Sequence, residues 1–155
     1  MAKQSAGILA YKRSGGELLV FLVHPGGPFW AKKDRGAWSI PKGEFTEGEE
    51  ALAAARREFA EEVGQAIDGH FIGLTPCRQR SGKVVHAWAI ESDIEVDGLV
   101  SNEFELEWPP HSGKLRRFPE VDAAAWFPLS EAKLRIHPSQ IPLLEELTHL
   151  LSARP

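Results

Sequence analysis

The chain has 155 residues, 43% of them hydrophobic and 26% charged, a balance that excludes disordered and collagen-like classes and suits one globular domain over 1–155. Eighteen Lys and Arg against 22 Asp and Glu leave a net charge of −4, so no global positive field gathers long nucleic acid or an anionic membrane. The lone cysteine, Cys77, excludes an internal disulfide framework and a cysteine-built zinc site, and suits a core thiol in a reducing cytoplasm.

The N-terminal stretch has no apolar run of the signal-peptide kind, and the longest apolar run, Leu18 to Val23, is far short of the about 20 residues of a membrane span. Neither export nor membrane insertion is expected. Ser5 to Lys12 and Glu17 to His24 flank Ser14-Gly15-Gly16 and predict a hairpin. Because Leu18 to Val23 is continuously apolar instead of alternating, its strand requires cover on both faces, supplied by helices. Residues 25–38, rich in Gly and Pro, predict an ordered loop carrying aromatic and basic side chains.

Thr46 and Glu49 have the spacing of a capping box, and Leu52, Ala55, Phe59 and Val63 recur at helical spacing up to a stop at Gly64. Downstream, His70 to Arg80 and Val84 to Glu91 flank Ser81-Gly82-Lys83 and predict a second hairpin. Ile94 to Gly113 is acidic and then Pro-rich, which predicts a short strand and a surface loop. Trp126-Phe127 closes another strand. Ser130 is placed to cap a short helix, and Ser139 a longer one with Pro142 in its first turn and Leu144, Leu147 and Leu151 as its buried stripe.

The chemistry concentrates between Gly43 and Gly64. At about 100° per residue, Glu58 and Glu62 nearly superpose on a helix and Glu61 lies about 60° away, so three carboxylates share one edge. A solvated helix face is the ordinary explanation of such a cluster. Against it, like charges at i and i+4 destabilise a helix, and anions in the last turn oppose its dipole. A hard divalent cation with oxygen ligands removes that conflict and leaves coordination positions for phosphate. Arg57 offsets part of the charge but cannot neutralise Glu49, Glu58, Glu61 and Glu62 together.

In their spacing, Gly43, Glu49, Arg57-Glu58, the apolar Phe59, Glu61-Glu62 and Gly64 resemble the Nudix box, the signature of Nudix hydrolases. Gln65 departs from it where an aliphatic residue is usual, and Ile67 is the residue at hand for that apolar role. The segment from Glu120-Val121-Asp122 to Trp126-Phe127 resembles a late strand of the same family. The resemblance implies an α+β fold, an α/β/α sandwich around a mixed sheet. It also implies Mg2+- or Mn2+-dependent cleavage of a phosphoanhydride bond in a nucleoside diphosphate linked to another group. On the matching positions, Glu58 and Glu62 are the principal metal ligands, and Glu61 is a further ligand or the base that activates water. Glu49 and Arg57 brace helix and loop, and Gly43 permits a close turn that points a backbone carbonyl at the metal.

Lys42 beside the box, and Lys32, Lys33 and Arg35 in the preceding loop, are candidate phosphate contacts, with solvated charge the equal alternative for the last three. Phe29, Trp30, Trp38 and Trp108 are candidates for stacking on a nucleobase or for packing. Glu103 and Glu105 stand as carboxylates outside the box that would supply a ligand or base, or else as exposed strand residues. His24 and His86 read as packing or surface residues.

The only tyrosine, Tyr11, lies upstream of the box, whereas the family's dinucleoside polyphosphate hydrolases commonly carry one downstream. Pro76 lies closer to the box than the proline typical of ADP-ribose enzymes, and the net acidity disfavours a long RNA partner. The expected partner is a small nucleotide, either a nucleoside triphosphate or a dinucleoside polyphosphate. The rival reading is a non-catalytic nucleotide-binding module, against which the retention of Glu58, Glu61 and Glu62 speaks.

Overall fold

The computed structural model describes residues 3–152. In chain order the elements are β1 (Gln4–Ser14), β2 (Glu17–Pro25), β3 (Lys42–Glu44), α1 (Ala51–Val63), β4 (Ile72–Gly73), β5 (Cys77–Arg78), β6 (Val84–Glu91), β7 (Glu103–Glu107), β8 (Leu115–Pro119), β9 (Val121–Pro128), α2 (Leu129–Arg135) and α3 (Ile141–Ser152). The main sheet runs β4-β6-β1-β2-β9, with β3 paired to β1 and β5 paired to β6. Among the strands of this sheet in the described residues, β1 and β6 run parallel, from Gln4 opposite Val84 to Tyr11 opposite Glu91, and the other strand pairs are antiparallel.

The doubly covered sheet expected from the apolar run is present. Along β1, Leu9 and Tyr11 face one core with Val20, Leu22, Leu143, Leu144 and Leu147, while Ile8 and Ala10 face a second core with Phe21, Ala55, Phe59 and Val63. Helix α3 therefore covers one face and α1 the other. The period of two along a strand delivers both cores from one continuous hydrophobic sequence. Gly64 ends α1 in the left-handed region at φ 81°, its N–H donating to the Ala60 carbonyl, as the stop signal predicts. Gln65 turns outward and donates to the Glu95 carbonyl at 2.8 Å, and Ile67 fills the apolar role beside Ile94 in the second core.

Several boundaries differ from the sequence reading. Helix α1 starts at Ala51, and its N-cap, Glu50, makes no side-chain cap. Thr46 contributes only its backbone carbonyl, which accepts from Glu49 N–H at 3.0 Å. The Glu49 carboxylate is drawn instead to Arg57, with contacts of 2.8 and 3.0 Å, because a paired guanidinium is a stronger partner than a helix-start amide. The strand expected over His70 to Arg80 breaks into β4 and β5, separated by Pro76, which has no N–H for the ladder; Thr75 N–H turns to Glu146 at 2.7 Å. The short strand expected between Ile94 and Gly113 is β7, and what the sequence did not show is its partner, β8, with which it forms a separate two-stranded sheet. Ser130 lies inside α2, and Ser139 lies in a 3-10 turn capped by His137. Among the described residues, no helix is long and apolar enough to cross a membrane.

Two phenylalanines separate core from surface. Phe59 is fully buried, 6.1 Å from the ring of Phe21, whereas Phe29 is 59% exposed. Phe59→Ala is expected to cost about 3–5 kcal/mol in urea unfolding, and Phe29→Ala to stay within about 0.5 kcal/mol.

Candidate active site

Strand β3 and the inner edge of α1 meet at Gly43. A Cβ there would lie 2.1 Å from the Glu58 carboxylate, so only glycine lets the strand pass so close. Glu58 is itself buried, at 8% exposure. Its neighbour Arg57 gathers the other acids: Nε and Nη2 donate to the two Glu49 oxygens, while Nη1 donates to Glu58 at 2.9 Å and to Glu61 at 3.2 Å. One guanidinium thus cross-links three carboxylates, using the fork geometry that lysine lacks. Glu62 points the other way, accepting from the Lys42 backbone N–H at 3.3 Å.

Glu62, Lys42 and Glu120 line a cavity of about 120 Å³ with Val23, Pro25 and Ile40. A chain of backbone bonds holds its rim: Asn102 N–H donates to the Glu61 carbonyl, Glu120 N–H to the Asn102 carbonyl, and Gly26 N–H to the Glu120 carbonyl, at 2.8, 2.8 and 2.9 Å. The base of the β7–β8 hairpin is therefore tied both to the helix and to the loop after β2. Glu120 is the site residue the sequence reading assigned no role. It precedes an ordinary strand, and only the fold turns it toward Glu62.

Burial governs the ionisation of this cluster. It pushes Glu62 up to about 8, with Lys42 opposing and Glu58 and Glu120 reinforcing. Burial likewise raises Glu58, partly offset by Arg57, and raises Glu120, reinforced by Glu58 and Glu61. Lys42 is lowered, by burial first and by Lys83 second. Glu49 is lowered by its hydrogen bond to Arg57. Uncompensated negative charge is thus costly at Glu58, Glu62 and Glu120, while Glu49 and Arg57 form a settled ion pair.

The other sequence-predicted residues fall elsewhere. Lys32 and Trp30 sit on the 26–38 loop outside the cavity lining, with Trp30 38% exposed and Lys33 Nζ 5.2 Å over its ring. Phe29 packs edge-on against Trp108 at 5.4 Å. Trp38 belongs to the core and donates to Asp34 at 2.7 Å. Glu103 and Glu105 are exposed and face Arg117 at 4.0 and 3.5 Å. Among the described residues, no three His, Cys, Asp or Glu side chains converge on one ion-sized point; Arg57 holds Glu58 and Glu61 in this arrangement.

In chelator, Glu62 should couple stability to pH. Its carboxyl is raised from 4.5 to about 8 on folding, so between those values the folded protein keeps a proton that the unfolded chain releases, and stability falls as pH rises through the window. Urea midpoints measured across it should decline for the wild type and decline less for Glu62→Gln.

Comparison with known proteins follows this geometry. Residues 1–147 match the NUDIX domain family. A curated relative, Nudix hydrolase 5 of Arabidopsis thaliana, is 31% identical over 117 residues, which are 75% of this chain and 33% of that protein; the chain thus spans about a third of its relative's length. Among solved structures, a C. elegans Ap4A hydrolase in a binary complex superposes with a TM-score of 0.68 at 19% identity, covering 97% of this chain and 99% of that one. The NUDIX domain of Shewanella oneidensis NrtR, complexed with ADP ribose, superposes at 0.67 with 16% identity, covering 97% and 89%. These likenesses show a shared fold, and with the family match over nearly all of its length the chain belongs to the Nudix family.

Proposed function

We propose that the chain is a divalent-cation-dependent nucleotide pyrophosphohydrolase, cleaving a phosphoanhydride bond in a nucleoside triphosphate or a dinucleoside polyphosphate. The observation that carries this reading is the convergence of Glu62, Glu120 and Lys42 on one cavity at the end of the helix that bears Glu58 and Glu61. Family membership and structural neighbours that are an Ap4A hydrolase and an ADP-ribose complex support a small nucleotide as substrate. Cys77, free and buried, supports the reducing cytoplasm as the place of action.

The donor set fits a hard cation: it consists of carboxylates, and burial makes their charge costly until a cation balances it. Mg2+ or Mn2+ would be held by Glu58, Glu61 and Glu62, with the Gly43 carbonyl as a further oxygen donor. When bound, such an ion polarises phosphoryl oxygens and lowers the pKa of coordinated water.

The remaining work belongs to the chain. Arg57 stays anchored through its two bonds to Glu49 while its Nη1 contacts can yield Glu58 and Glu61 to a ligand. Lys42 places positive charge at the cavity wall, where phosphate oxygens need it. Glu61, or Glu120 from across the cavity, accepts the proton of the attacking water. The 26–38 loop leaves the cavity wall at Pro25 and rejoins it at Ser39, so Trp30 and Lys32 lie on a flap suited to the nucleoside and its phosphates.

Assay of nucleotides with Mg2+ and Mn2+, identifying both products, is expected to show phosphoanhydride cleavage; tight binding with no turnover of any nucleotide would identify a binding module instead. Glu62→Gln should keep the fold and lower kcat by about 100-fold or more, and near-normal turnover would remove it from the ligand set. Trp30→Ala should raise KM roughly tenfold, the loss expected of one stacking contact, with kcat retained.

A further inference from the structure

The 26–38 flap is rooted at both ends in the cavity wall, where Val23 and Ser39 exchange backbone hydrogen bonds at 2.8 and 3.0 Å. Its far end is fastened at Asp34, which accepts from Trp38 Nε1 at 2.7 Å and from Arg135 Nη1 at 2.6 and 2.7 Å. The residue just before Asp34, Lys33, is fastened by one buried side chain. His24, 7% exposed, sets Nδ1 2.8 Å from an Asp122 oxygen and Nε2 against the Lys33 carbonyl, with its ring edge-on to Trp38 at 5.2 Å.

The sheet is shaped to make this contact. In the β2–β9 ladder His24 pairs with Ala123 and Pro25 with Val121, so Asp122 is the extra residue of a bulge, a device that re-aims side chains beside functional sites. Pro25 and Val121, the pair that resumes the ladder beyond the irregularity, both line the cavity. The Lys33 carbonyl can only accept, so the contact there is a donation from Nε2–H.

We infer that His24 is a positioning residue for the reaction: bridging Asp122 through Nδ1 and the Lys33 carbonyl through Nε2, it holds the 28–33 part of the flap, with Trp30 and Lys32, in its stance beside the cavity. The inference rests on the hydrolase reading above for the word reaction, and on geometry alone for the fastening. His24 touches neither Glu62 nor Lys42 in the contacts of the structure, so its removal acts on how substrate is held, leaving the carboxylates in place.

The test uses His24→Gln and Asp122→Ala in the full chain, each read by trypsin and by kinetics. Cleavage after Lys32 and Lys33 should accelerate roughly tenfold, the effect of losing a buried hydrogen bond, while cleavage after Arg80 and Lys83, in the turn between β5 and β6, keeps its wild-type rate. KM for the substrate found in the nucleotide assay should rise roughly tenfold with kcat within about threefold. Wild-type cleavage of the flap in both variants would overturn the fastening, and so would equal acceleration at Arg80 and Lys83, the mark of general loosening. A loosened flap with unchanged KM would overturn the positioning role. Failure of the wild type to hydrolyse any nucleotide would sink the hydrolase reading by itself, and trypsin would still decide whether His24 holds the flap.

Discussion

The site depends on keeping three carboxylates near one another without the helix beneath them coming apart. Arg57 does this. Its guanidinium holds Glu49 with two donors and shares a third nitrogen between Glu58 and Glu61, so the loop before α1, the middle of the helix and its last turn are cross-linked through one planar group. Lysine, a single point of charge on a flexible stem, cannot make that three-way connection. The glycine at 43 is the counterpart on the strand side: with 2.1 Å between an added Cβ and the Glu58 carboxylate, no side chain is tolerated there. Arginine and glycine together fix where the acids point, and the cavity chemistry follows from that direction.

The asymmetry inside the cluster matters as much as its existence. Glu49 is satisfied by its ion pair, whereas Glu58, Glu62 and Glu120 are pushed toward the neutral form by burial. A structural salt bridge would have lowered them all. Groups whose charge is costly where they are buried and welcome beside a cation are poised for ligand binding, and such opposed environments among neighbouring acids mark functional sites.

What could be read from the sequence was local. The β1–β2 hairpin, the helical stripe ending at Gly64 and the double burial of Leu18 to Val23 each depend on residues a few positions apart, and all are found. Thr46 shows the limit of such reading: its spacing from Glu49 suits a capping box, but Arg57, eight residues further along, claims the carboxylate. Trp38 reads as a packing residue more readily than as a stacking ring, and the structure places it in the core, where Asp34 and the α2–α3 side of the sheet enclose it. The β7–β8 sheet needs Phe104 set opposite Phe118, a partnership that the Pro-rich link between them conceals. Glu120 carries no local mark at all, because its burial beside Glu62 arises from three separate stretches of chain meeting.

The parallel ladder between β1 and β6 has a consequence for how the protein is born. Strand β1 leaves the ribosome well before its partner on one side, Val84 to Glu91, which emerges only after β2, β3, α1, β4 and β5 have been made. Until then a ribbon of consecutive aliphatic residues has an open hydrogen-bonding edge, the arrangement that invites pairing with another nascent copy. Helix α1, which packs on that ribbon, is synthesised in the interval and can shelter one face but not the edge. Only once the later strand has docked, bringing Ile90 in beside Phe59 and Val63, does the acidic helix have a complete floor from which to present its carboxylates.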